Sequence, residues 1–170
     1  MPIEERARRH GAYEHWIVDH VASWIHGDCG GAAEIATTGC SLGAYHAANF
    51  ALKRADLFPL ALCLSGVYDV SVAHGWGERG DATYFNNPMD YVAHLGGDHL
   101  DWLRSRVSLL LVVGQGAWED STGARESTVR FAELLAGKGI PHELDVWGHD
   151  VPHDWPAWRA QIAHHLPRFV

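Results

Sequence analysis

The pentapeptide Gly39-Cys40-Ser41-Leu42-Gly43 constrains this chain more than any other segment. The apolar, β-branched run Ile35-Ala36-Thr37-Thr38 precedes it, and a run with helical spacing over 44–52 follows. Strand, sharp turn and helix therefore succeed one another with a serine at the apex. Small residues on both sides of that serine permit a strained turn that lifts its hydroxyl out of the sheet. The N–H of the next residue, Leu42, then opens the helix and faces any oxyanion that forms at the serine. The pattern implies serine-hydrolase chemistry.

Composition bounds what can surround the elbow. With 170 residues, 47% of them hydrophobic, the chain suffices for one domain with a sizeable core and is short for two. A formal net charge of −8 argues against nucleic acid or an anionic membrane as partner. The one basic cluster, Arg6, Arg8 and Arg9, is interleaved with Glu4 and Glu5 and reads as a solvated helix face. Three cysteines, Cys29, Cys40 and Cys63, without CxxC spacing argue against a disulfide framework or a zinc site. Neither a signal-peptide pattern nor an apolar stretch of about 18 residues is found, so the expected location is the cytoplasm.

Along the chain, helical and strand patterns alternate. Tyr13, Trp16, Ile17, Val21, Trp24 and Ile25 share one face of a helix over 3–26 that ends near Gly27. Strands are expected at 34–40, within the continuous apolar run 58–66, at 107–113 and at 143–147. An amphipathic helix over 127–138 stops at Gly139, and a last helix covers 156–169. Residues 67–106, rich in Gly, Asp, Asn and His, form an excursion over the active-site side, with helical pieces at 89–95 and 99–105. Alternation with apolar strands predicts an α/β fold of about four parallel strands with helices on both faces.

Sites of open parallel sheets lie beyond the carboxyl ends of the strands. After the third strand stand Glu119 and Asp120; after the fourth stand His149, Asp150, His153 and Asp154. Serine, carboxylate and histidine thus follow in the order of the hydrolase fold. A serine hydroxyl needs a neutral imidazole to take its proton, and a carboxylate to fix the imidazole's tautomer and stabilise the imidazolium. His153 is preferred over His149 because Trp155 and Trp158 can hold its loop rigid. Asp120 is preferred over Glu119 because aspartate is the usual acid, and Asp69 is a weaker third choice. Four candidate ligands crowded on one short loop, with no second ligand-bearing element, do not suggest a metal. Trp76, Tyr84, Phe85 and Trp118 are candidates to line an acyl pocket.

The segments 37–49, Ser65-Gly66-Val67-Tyr68-Asp69, Tyr84-Phe85-Asn86-Asn87-Pro88 and His153-Asp154-Trp155-Pro156-Ala157-Trp158 resemble bacterial esterases of the α/β-hydrolase superfamily, in the branch of esterase D and the enterochelin-esterase-like enzymes. The resemblance spans nearly the whole chain and implies hydrolysis of small-molecule carboxylic esters through an acyl-enzyme on Ser41, without cofactor, with His153 as base. Acyl transfer to an alcohol and a non-catalytic binding or assembly module are the alternatives. Relative to that family's eight-stranded sheet, the chain corresponds to the C-terminal half, so the domain 1–170 is expected to be N-terminally incomplete. The loop carrying the family's second oxyanion donor would lie before it. The nucleophile strand would then be an open edge, closed either by sequence preceding Met1, the favoured expectation, or by a second copy in a homodimer.

Overall fold

A computed structural model of the chain describes residues 2–31, 33–72 and 79–169. Trp76 lies outside the described residues. Helix α1 (Ile3–Trp16) runs through a π-helical turn, Ile17–Val21, into α2 (Ala22–Asp28). Strand β1 (Ala36–Cys40) and helix α3 (Leu42–Lys53) follow, then β2 (Leu60–Leu64) and three helices, α4 (Asp81–Tyr84), α5 (Pro88–His94) and α6 (Gly97–Arg106). Strand β3 (Ser108–Val113), helix α7 (Ala124–Lys138), strand β4 (His142–Val146) and helix α8 (Trp155–His165) complete the order. The four strands pair in parallel in the order β1-β2-β3-β4. This is the α/β architecture expected from the apolar runs.

The central strands alternate between two cores, as a period of two requires. Leu62, Leu64, Leu110 and Val112 pack with Trp158 of α8 on one face. Ala61, Cys63, Leu109 and Leu111 face α3, α5, α6 and α7 on the other. Helix α3 lies against the sheet through Ala44, Ala47, Ala48 and Ala51, all buried, because an alanine face lets a helix backbone approach closely. Phe131 stacks on Tyr68 with ring centroids 4.2 Å apart and fills the space beside it. A third cluster joins Ala22, Ile17 and Val18 to Phe50 and Phe58. Among the described residues β1 pairs with β2 alone, which makes the strand that leads into Ser41 a sheet edge.

Residues 79–106 are clamped to the body by polar side chains. The Tyr45 hydroxyl donates to the Asn86 carbonyl at 2.6 Å, and Lys53 Nζ reaches both Glu14 and Asn86. Asn87 caps α5 by accepting from Met89 N–H, and its amide donates to Asp69 and Asp90 at 2.9 Å each. Arg79 bridges the same two carboxylates. Asp69 is therefore committed to this clasp and does not serve His153, which answers its candidacy as triad acid. The Tyr84-Phe85-Asn86-Asn87-Pro88 segment is structural in the same way.

Beneath the clasp, His10 is buried against Tyr45 and His46. Its Nε2 accepts from the Asn49 amide, whose oxygen accepts in turn from Tyr91. Burial, then His46 and Lys53, push the His10 imidazole down to about 3. An unfolded histidine titrates near ~6.5, so below that pH the unfolded chain binds a proton that the folded chain refuses. The stability associated with His10 is complete above about pH 6.5 and falls by up to ~1.4 kcal/mol per pH unit below it. Urea midpoints should drop between pH 7 and pH 5, and His10→Gln should flatten that drop.

Candidate active site

Ser41 caps α3 with φ 53 and ψ −117, a conformation that costs an ordinary L residue of order 1–3 kcal/mol. The turn closes because Ser41 N–H bonds the Leu64 carbonyl at 2.8 Å while its own carbonyl receives the Ala44 N–H. Gly39 permits it: a Cβ there would overlap the Gly43 carbonyl and stand 2.8 Å from its Cα. Leu42 occupies the first helical position, where a backbone N–H has no intrahelical acceptor.

His153 reaches Ser41 from the loop between β4 and α8, with Nε2 3.1 Å from the serine Oγ. Its Nδ1 lies 3.1 Å from Glu119 Oε2. A carboxylate can only accept, so Nδ1 carries the proton and donates it to Glu119, which leaves Nε2 free to accept from Ser41. The ring stands edge-on to Trp158, with centroids 4.9 Å apart and planes at 81°. Asp154 caps α8 by accepting from Ala157 N–H at 3.1 Å, and Pro156 sits in the first turn where its missing N–H costs nothing. The His-Asp-Trp-Pro-Ala-Trp segment thus supplies in succession a histidine against Ser41, a cap, a helix start and a ring wall.

The carboxylate at His153 is Glu119, and the preference for Asp120 is corrected here. The Glu119 side chain is 0% exposed, whereas that of Asp120 is 66% exposed and pairs with Arg125 at 2.6 Å. The cause is local backbone: Trp118 adopts φ 70, which turns residue 119 inward and residue 120 outward. His149 is exposed, and its backbone carbonyl lies beside Gly116, while it is His153 that Ser41 meets.

Backbone hydrogen bonds zip the two loops together. Gly116 N–H donates to Val151 O at 2.9 Å, His153 N–H to Ala117 O at 2.9 Å, and Gln115 N–H to Gly148 O at 3.2 Å. Gly114 and Gly116 lack the Cβ that would strike the Val151 backbone. Glu119 and His153 are therefore held in register by main chain, which no local motif reveals.

Sequence reasoning missed Ser65. It is buried, follows β2 with φ 52, and donates to Glu119 Oε1 at 2.6 Å, where Gly114 N–H also donates at 3.3 Å. The one available signal was its place directly after a strand end, the position that also holds Ser41. Tyr84 and Phe85 do not line an acyl pocket at Ser41; they border a cleft with Leu52, Lys53 and Tyr91 at the far end of α3, ~16 Å along the helix. Trp118 is 60% exposed. Among the described residues no cluster suited to a metal ion occurs, and no helix is long and apolar enough to cross a membrane. The cysteines are free: Cys29 is exposed, Cys40 half-buried and Cys63 buried.

A parallel sheet with a strained serine elbow and an acid and a histidine beyond later strands defines the α/β-hydrolase class. The chain belongs to the esterase family described as "Putative esterase", whose model matches residues 4–169. Solved structures of similar fold include a ferulic acid esterase, with TM-score 0.72 and 20% identity over 91% of this chain and 59% of that one. An S-formylglutathione hydrolase from Agrobacterium tumefaciens gives TM-score 0.70 and 17% identity over 90% of this chain and 55% of that one. MPT51 (FbpC1) of Mycobacterium tuberculosis gives 0.69 and 16% over 91% and 66%. The chain thus spans little more than half the length of the first two. No curated protein matches the chain.

Proposed function

We propose that the chain carries the catalytic triad of a serine esterase, with Ser41 as nucleophile, His153 as general base and then acid, and Glu119 as the group that orients His153. The observation that carries this reading is the hydrogen-bonded line Ser41–His153–Glu119, assembled from the ends of β1, β4 and β3. His153 Nε2 takes the Ser41 proton as Oγ attacks the ester carbonyl, and the Leu42 N–H receives the developing oxyanion. The protonated His153, held by Glu119, passes its proton to the leaving alkoxide, and the C–O bond to the alcohol breaks. An acyl ester remains on Ser41; water, deprotonated by His153, releases the acid and restores the serine.

Membership of an esterase family and fold likeness to a ferulic acid esterase and an S-formylglutathione hydrolase support oxygen esters or thioesters of small acids as the substrate class. The elbow supplies one oxyanion donor. Turnover of short p-nitrophenyl esters is the expected activity.

Covalent labelling by a fluorophosphonate probe is the sensitive test, because it needs the activated serine and a single turnover. Label should appear on Ser41, and both Ser41→Ala and His153→Ala should abolish it together with ester turnover. A folded chain that takes up no label would sink the esterase reading in favour of a binding module.

A further inference from the structure

The triad has a fourth and a fifth member in geometry. Ser65 Oγ sits between two groups of fixed polarity: Trp158 Nε1, 3.2 Å away, and Glu119 Oε1, 2.6 Å away. An indole N–H can only donate and a carboxylate can only accept. The Ser65 oxygen must therefore receive the Trp158 proton, and the Ser65 proton must go to Glu119. Trp158 in turn stands edge-on to His153, so Trp158, Ser65, Glu119 and His153 close a ring of contacts in which each member fixes the next. Ser65 is 0% exposed and held at φ 52, a left-handed backbone that is unfavourable for serine and that glycine would adopt freely. Its N–H bonds Val112 O at 2.8 Å, which ties the turn to the end of β3 directly before the acid loop.

We infer that Ser65, oriented by Trp158, is a positioning residue: it locks the Glu119 carboxylate so that Oε2 faces His153 Nδ1 and the imidazole stays in the tautomer that can accept from Ser41. This rests on the triad reading above. Rotations about the Glu119 side-chain bonds would swing the carboxylate out of line with His153, and the Ser65 hydroxyl and Gly114 N–H, both donating to Oε1, oppose them. Trp158 thereby acts on His153 twice, through the ring face that bounds it and through the proton that sets Ser65.

The experiment compares the 170-residue chain with Ser65→Gly, Ser65→Cys and Trp158→Phe. Ser65→Gly relieves the positive φ while deleting the hydroxyl, so the fold is retained in circular dichroism. Its fluorophosphonate labelling should slow about ten- to a hundredfold, the range for one hydrogen bond to a charged group. Ser65→Cys, whose thiol donates weakly, should recover part of that loss. Trp158→Phe keeps an aromatic ring beside His153 and loses the pyrrole half of the indole with its N–H, so a smaller slowing of about threefold is expected from the one weak neutral hydrogen bond lost. The second readout is the His153 Nδ1 proton in NMR spectra of histidine-labelled protein. It should resonate far downfield in the unaltered chain and in Ser41→Ala, and move upfield or exchange away in Ser65→Gly.

A Ser65→Gly chain that folds, labels at the unaltered rate and keeps the downfield proton overturns the inference. If Ser65→Gly does not fold, Trp158→Phe decides by the same two readouts, and their constancy overturns it equally. An unaltered chain that takes no label, yet loses the downfield proton in Ser65→Gly, would refute the esterase reading and leave the positioning role standing.

Discussion

Glu119→Gln is expected to slow fluorophosphonate labelling of Ser41 by about 10³- to 10⁴-fold, the cost of holding a triad histidine in the wrong tautomer, while Asp120→Asn leaves it within about twofold, as expected of an exposed ion pair. The reasoning is a matter of donors and acceptors. Ser65 Oγ and Gly114 N–H both point at one oxygen of Glu119, and His153 Nδ1 points at the other. A glutamine in the same place keeps its carbonyl oxygen toward the two donors, because turning its NH₂ toward them would oppose donor to donor. The NH₂ then faces His153 and makes Nδ1 the acceptor. The imidazole proton moves to Nε2, which can no longer take the proton of Ser41. Asp120, 66% exposed and paired only with Arg125, has no such consequence. Labelling rates by intact-mass spectrometry, with circular dichroism to show that each variant is folded, check the pair. Equal losses in the two variants would remove Glu119 from its assigned place.

Gly39→Ala is expected to destabilise the chain by ~3 kcal/mol, at the upper end of the usual cost of forcing extra volume into a packed site. The added methyl would run into the backbone of Gly43, and neither β1 nor the first turn of α3 can yield without unpairing the strand end or shifting the helix. The companion variant Gly43→Ala is the opposite case. Its Cβ would meet nothing within 4 Å, and the position is helical, where alanine is favoured over glycine by ~1 kcal/mol. Gly43→Ala should therefore be neutral or slightly stabilising. Two glycines that look equivalent in the pentapeptide differ because only one has a Cβ position occupied by other backbone. Urea midpoints of the two variants separate them, and comparable losses would contradict the close approach of Gly39 to Gly43.

Much of the scaffold was legible because its signals are local. The apolar runs around residues 58–66 and 107–113 became β2 and β3, buried on both faces, and the elbow became β1, Ser41 and α3. Several boundaries held, as at the ends of β1, β3 and α7, while others moved by a few residues: α7 begins at Ala124 rather than Ser127 once Gly123 adopts φ 76 and ends the preceding loop. The first helix continues to Asp28 through a π-helical turn, which the apolar spacing alone did not reveal. The clasp around Asp69, Arg79, Asn87 and Asp90 joins residues that are polar and, in sequence, only loop-like. Its members are recognisable as structural only when their partners are seen.

Which carboxylate meets His153 shows where local signals stop. Glu119 and Asp120 are adjacent, chemically similar and in the same loop, and aspartate is the commoner choice. What separates them is the left-handed backbone of Trp118 and the glycine-lined seam between the loops after β3 and β4. Those are properties of two segments packed together, not of either alone.

By itself, the sequence determined the chemistry available to this protein: a serine on a strained turn, a histidine before a capped helix, carboxylates between them and four strands to carry them. These follow from spacing, turn residues and hydrophobic period, which act over a few residues at a time. The tertiary structure alone decided that Glu119 is the carboxylate at His153, that Ser65 and Trp158 stand behind it, and that Asp69 belongs to a structural clasp. Such choices depend on side-chain direction and on hydrogen bonds between segments up to 112 residues apart, like that joining His153 to Ser41, which exist only once the strands are in register.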